Sequence, residues 1–218
     1  MQPTSSIEAI QRKERSEALL KADGVPINHS LPVIETEKES RRRMPEEVAL
    51  RALALLVVAA KGEGLPQAKV DRVVVEYGLT DHFSPKEVAF INDPSPGTND
   101  CTQFVWRYEG AWALLWSLGY VERLGVPKAI CDVQHAVRFM IERTTAQFIH
   151  DAKLRPQAEI LDQADLIYRY DWAVVDARIH TKSAPAGLDP GVTWERHYAL
   201  NWLIGYMDQD WDDITTDT

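Results

Sequence analysis

The chain has 218 residues, 45% apolar and 26% charged, which are the proportions of an ordinary globular protein with one full core. Its formal charge of −9 argues against nucleic acid and against anionic membranes as partners, because both are held largely by basic residues. The stretch Ala52 to Ala60 is the longest apolar run and is far too short to span a bilayer. Met1 to Leu20 has no apolar signal core. Cys101 and Cys131 have no metal-ligand spacing, so free thiols in a reducing cytoplasm are expected.

Helix signals then follow one another along the chain. Residues 1–5 read as a disordered lead-in to a single domain covering 1–218. Ile7 to Ala22 carries apolar residues at helical spacing and stops at Gly24. His29 to Ile34 is an extended connector around Pro32. Arg41, Arg42 and Arg43, flanked by glutamates, read as a solvated approach to the next helix. Pro45, Glu46 and Glu47 form a good first turn for that helix, which stops near Gly62 and in which Arg51 is the only polar residue between Val48 and Ala60. Gln67 to Tyr77 is a further helix, although Val73-Val74-Val75 is strand-like. Ser84 to Glu87 is a capping box.

Asn92 to Asn99 is a loop. Asp100 or Thr102 is expected to cap one long helix ending near Gly119. Asp132 caps the next helix, which runs to about Arg143, and Thr144 to Lys153 continues it after a break. Pro156 opens a long helix to about Lys182. Asp189 or Thr193 starts the last one, which ends near Met207. No alternating strand pattern survives beside these periods, so the expectation is one all-α domain of about eight helices. The two C-terminal helices should pack centrally against Gln103 to Gly119.

The candidate site consists of charges placed where such helices should be apolar. Asp171 and Arg178 interrupt the face formed by Ile160, Ala164, Ile167, Val174 and Val175. They lie about 10 Å apart along one helix, too far for a neighbour pair. Each is therefore expected to be buried and to meet a residue of another helix: Arg107 or Arg51 for the acid, Glu109 or Glu195 for the arginine. Arg107 and Glu109 look inward from the tryptophan-rich helix before Gly119. In Glu195 to Trp202, His197 and Asn201 are four apart on a helix apolar almost all round, so both need partners. They are expected to line a pocket.

Two further readings stand beside a binding site. Buried Glu109, Asp171 or His197 could serve as acid or base in a hydrolase, or the charges could form a purely structural network with a surface interaction role. No nucleophile is placed by spacing to make a triad. The glycines at Gly62 and Gly64 follow a helix and are no dinucleotide loop, and there is no Walker motif, so no cofactor is expected. The histidines lack metal-ligand spacing, and the acidic tail Asp208 to Asp213 reads as solvated, so no metal is expected either. Trp211 and Ile214 are expected to dock that tail.

Four motifs in order, WRYEGAWALLWSLG (Trp106 to Gly119), LDQADLIYRYDWAVVDAR (Leu161 to Arg178), ERHYALNWL (Glu195 to Leu203) and WDDITTDT (Trp211 to Thr218), resemble the family known as domain of unknown function 4272. Ser16 to Leu31 fits as well. The resemblance implies a bacterial-type soluble protein and brings no catalytic residues with it. Read from the residues alone, the partner is an unknown small molecule or protein, bound in a polar pocket among the central helices.

Overall fold

A computed structural model describes residues 6–218; the lead-in expected to be disordered, residues 1–5, lies outside the described residues. The described residues form ten α-helices and no strand: α1 (Ile7–Asp23), α2 (Pro45–Gly62), α3 (Gln67–Glu76), α4 (Pro85–Asn92), α5 (Thr98–Val105), α6 (Arg107–Ser117), α7 (Val133–Ile141), α8 (Thr145–Asp151), α9 (Gln157–Ile179) and α10 (Pro190–Ile204). The fold is all-α, as the periodicity predicts.

The two helices beyond the eight expected come from local breaks. The long helix before Gly119 is divided at Trp106, where ψ of −18° tightens the chain between α5 and α6. It also starts earlier, at Thr98. The segment after Arg143 begins a separate helix, because Thr144 and Gln147 form a complete capping box. In α3 the strand-like valines stay helical: Val70 is fully buried, and Val73 and Val74 pack on the core beside it. Asp132 caps α7, and Asp189 rather than Thr193 caps α10, its Oδ1 accepting from the backbone of Gly191 and Val192.

Two helices organise the interior. α2 is buried from Val48 to Ala59 except for half-buried Leu50, and it contacts α3, α4, α5, α6, α7 and α8. A helix apolar on every side cannot rest at a surface. Its two long polar side chains are tied off. Arg51 pairs with Glu87, and Lys61 Nζ donates to the carbonyls of Ile91 (2.8 Å) and Asp93 (2.6 Å). The second organiser is α10, which lies between α6 and α9; α1 packs on the outer side of α9. Of the two helices expected against α6, α10 makes the extensive contact, and α9 reaches the core through α10. Gly191 at the start of α10 has a packing reason, since a Cβ there would fall 2.6 Å from the Trp106 ring.

The tail folds back onto this framework. Trp211 is 5% and Ile214 7% exposed. Trp211 stacks edge-on against Tyr198 and Trp202, with the Arg51 guanidinium 4.7 Å from its ring centre. The acidic tail is not merely solvated. Asp212 accepts from Ser84 Oγ (2.6 Å) and from the Lys86 backbone (2.9 Å), placing a carboxylate at the positive end of α4. The reading of Arg41 to Arg43 as fully solvated is corrected in the same region. Arg43 is buried, lies 4.0 Å above the Trp202 ring, and donates to Trp202 O and Glu47. Among the described residues no helix is long and apolar enough to cross a membrane.

Because Trp211 is buried against Tyr198, Trp202 and Arg51, Trp211→Ala should destabilise the fold by about 3–5 kcal/mol in urea denaturation. A denaturation midpoint within error of the native chain would show that the tail is not anchored by its indole.

Candidate functional site

Three consecutive residues of α10, Glu195, Arg196 and His197, are ionisable and at most 4% exposed. With helices on both sides, α10 sends them in two directions. Glu195 and Arg196 reach α6. Arg107 Nη1 donates to both oxygens of Glu195 (3.1 and 3.3 Å), and Arg196 Nε donates to Glu109 (3.1 Å). Arg196 also donates to the carbonyls of Leu124 and Gly125, and the Cys131 backbone donates to the other oxygen of Glu109. Two acids and two arginines are thus paired, and Glu109 and Arg196 have backbone partners as well, the condition under which buried charge is tolerated, whereas Arg107 keeps a buried Nε without a partner. Burial raises the Glu195 carboxyl above the usual carboxylate range, and the Arg107 guanidinium opposes that rise. Burial likewise pushes the neighbouring Cys131 thiol up, so it is an inert core group.

His197 turns the other way, to α9. Its Nδ1 lies 2.9 Å from Asp171 Oδ2, and both side chains are almost wholly buried. A carboxylate at Nδ1 fixes the ring's orientation and leaves Nε2 as the free nitrogen. Nε2 has no protein hydrogen-bond partner among the described residues, and the ring lines a small cavity of about 110 Å³. Asn201, one turn along α10, lines the same cavity while its Nδ2 donates to Thr215 O (2.8 Å). Tyr168 of α9, Tyr206 and Asp217 of the tail, and Glu35 of the connector complete its polar wall. Burial raises both phenols, so Tyr168 and Tyr206 keep their protons around neutral pH and offer hydroxyl donors.

The expected site therefore resolves into two clusters and one outlier. Arg107, Glu109 and Glu195 belong to the first, Asp171, His197 and Asn201 to the second. Arg178 belongs to neither. It is exposed, with no ion-pair partner among the described residues, and only borders a surface groove that Asp171 also lines. It lies in the last turn of α9, where that helix runs past the end of α10's cover. The expected partners of Asp171 are corrected too, since Arg107 and Arg51 are taken by Glu195 and Glu87.

Arg196 was not singled out by sequence, although in a helix apolar all round any charge should have been counted. The buried pair of Arg169 with Asp165 (2.7 and 2.9 Å) was legible as an i, i+4 spacing. Tyr168, Tyr206 and Asp217 carried no sequence signal, because only the fold brings the tail and the connector together. Among the described residues no group of three or more His, Cys, Asp or Glu side chains is placed to hold a metal ion.

The model of the family described as Domain of unknown function (DUF4272) matches residues 12–214. The chain belongs to that family. No curated protein and no solved structure matches it. Three of the four motifs that carry the family resemblance meet at the small cavity, supplying Tyr168, His197 with Asn201, and Asp217, while Asp171 stands behind the His197 ring.

Removing one side of a buried polar pair leaves the other unsatisfied, so Asp171→Ala should cost about 3 kcal/mol. Arg178→Ala, at an exposed position, should stay within about 0.5 kcal/mol of the native chain. Equal losses for the two in urea denaturation would contradict the placement of Arg178.

Proposed function

We propose that the protein is a binding module for a small polar molecule held in the cavity between α9, α10, the connector after α1 and the C-terminal tail. The observation that carries this reading is the His197 ring: backed by Asp171 at one nitrogen, it presents the other, without a protein partner, to a cavity with further polar groups. Ligand sites combine apolar walls with a few placed polar groups. Here Ile34, Ala164 and Ile204 supply the apolar part. The volume equals the share of about three to four waters, so a ligand that fills it has only about half a dozen heavy atoms. Tyr168 and Tyr206 would donate to its acceptor, Asn201 Oδ1 would accept from a donor, and Nε2 of a neutral ring would accept as well.

One observation favours a second reading. A carboxylate-backed imidazole with its second nitrogen free is the arrangement of a general base. Among the residues lining the cavity there is no serine, threonine, cysteine or lysine. In a hydrolytic reaction His197 would therefore take a proton from water, and water would be the nucleophile.

The test is a titration of labelled protein with a set of small amides, amines, carboxylic acids and polyols, followed through the His197 imidazole signals. At least one class should shift the Nε2 resonance in a saturable way, and His197→Gln or Asn201→Leu should abolish binding while the chain remains folded. If no class perturbs the ring, or the variants bind unchanged, the cavity is not the site.

A further inference from the structure

The small cavity beside His197 carries formal charge of one sign on its wall. Glu35 and Asp217 line it, and no lysine or arginine does. Glu35 is half-buried, and its carboxylate has no hydrogen-bond or ion-pair partner among the described residues. Asp217 is exposed and accepts from the Thr215 hydroxyl (2.8 Å) through one oxygen only. Burial raises the Tyr206 phenol, and the Asp217 and Glu35 carboxylates raise it further, so both charges stand near that hydroxyl.

The two acids are not neutralised from behind. Two guanidinium groups reach the connector wall, but through its backbone: Arg169 donates to Pro32 O (3.2 Å) and Arg12 to Glu35 O (3.0 Å). Each already carries carboxylates, Asp165 for Arg169 and Glu8 with Asp162 for Arg12. Asp171, behind the His197 ring, adds a third acid on the same side.

Acids in open water would select little, because solvent and salt screen them. The His197 ring makes this a built site. It is 2% exposed, and its Nε2 has no protein partner among the described residues yet is not sealed from the cavity. With its Nδ1 proton held by Asp171, a neutral ring offers Nε2 as an acceptor. Acceptors at Nε2, Glu35, Asp217 and Asn201 Oδ1 then outnumber the two phenol donors of Tyr168 and Tyr206. An anion would meet two carboxylates, with no basic side chain to hold it, in a space too small to keep its own water. A neutral polyol would leave both carboxylates uncompensated. A cation with several N–H donors satisfies the acceptors, and aromatic walls attract it as well.

We propose that the ligand of this cavity is a small primary amine, bound as its ammonium ion and carrying one neutral oxygen. The ammonium donates to His197 Nε2 and to the acidic wall, and the oxygen accepts from a phenol. This ligand class rests on the cavity being the binding site and adds the sign of the ligand's charge.

The test titrates the full chain with three probes of nearly equal size, ethanolamine (cationic), ethylene glycol (neutral) and glycolate (anionic), at matched ionic strength, and follows the His197 imidazole signals. Ethanolamine should bind saturably with a Kd about tenfold or more below that of ethylene glycol, and glycolate should give no saturable shift. The double variant Glu35→Gln, Asp217→Asn should raise the Kd for ethanolamine by about tenfold and leave that for ethylene glycol within about twofold. The variant Asp210→Asn, Asp213→Asn, which removes two tail charges outside the cavity, should leave both within about twofold. Matching melting curves for both variants confirm that each is folded when assayed. Ethylene glycol or glycolate binding as tightly as ethanolamine, or equal weakening in the two variants, would overturn the amine assignment and leave the cavity as a binding site. If none of the three probes moves the ring, the amine assignment falls. If every class in the wider titration also leaves the ring unmoved, the binding site falls with it.

Discussion

Helix α10 has almost no solvent face, yet three successive residues on it carry ionisable groups. Each needs a partner inside the protein, and the available partners lie on opposite sides. Glu195 and Arg196 can be satisfied only if α6 presents Arg107 and Glu109 at the right height, and His197 only if α9 presents Asp171. A slide or rotation of α10 by one residue would strand at least one buried charge. Burying a mismatched charge costs several kcal/mol, comparable to a large part of a domain's net stability. The two-sided pairing therefore fixes the register of α6, α10 and α9 in a way that apolar packing alone, which tolerates exchange of similar shapes, does not.

The two sides differ in kind. Toward α6 the charges are balanced, and Glu109 and Arg196 have backbone partners as well. Nothing is left over to engage a ligand at that pair. Toward α9 the arrangement is incomplete, since His197 keeps a free nitrogen against a cavity. The tail closes that cavity, because Asn201 holds Thr215 and places Tyr206 and Asp217 over it. The same tail sets Trp211 and Asp212 against α2 and α4. One short segment thus finishes both the hydrophobic core and the wall of the cavity beside His197.

Much of the fold was legible in the sequence because helix signals are local. The capping box at Ser84, the caps at Asp132 and Asp189, and the all-apolar α2 follow from residues a few positions apart. The break at Trp106 was not legible, as its neighbours have ordinary helical character. For the site, sequence could identify that Asp171, His197 and Asn201 look inward, since an apolar face makes a charge conspicuous. It could not pair them, because the choice between Arg107, Arg51 and His197 as the partner of Asp171 depends on which helices are adjacent. Arg178 illustrates the limit. Its helical phase matches that of Asp171, but burial also depends on where the covering helix ends.

The central claim is that the α6 side of α10 holds the fold together while the α9 side is kept for a ligand. Its most direct test is urea denaturation of Glu109→Gln and His197→Gln in parallel. Glu109→Gln leaves the Arg196 charge buried without a counter-ion and should lose about 3–5 kcal/mol. His197→Gln keeps a donor for Asp171 and should lose no more than about 1 kcal/mol, as expected where a residue serves binding more than stability. A loss for His197→Gln equal to or greater than that for Glu109→Gln would contradict the account and make the Asp171–His197 pair a structural element.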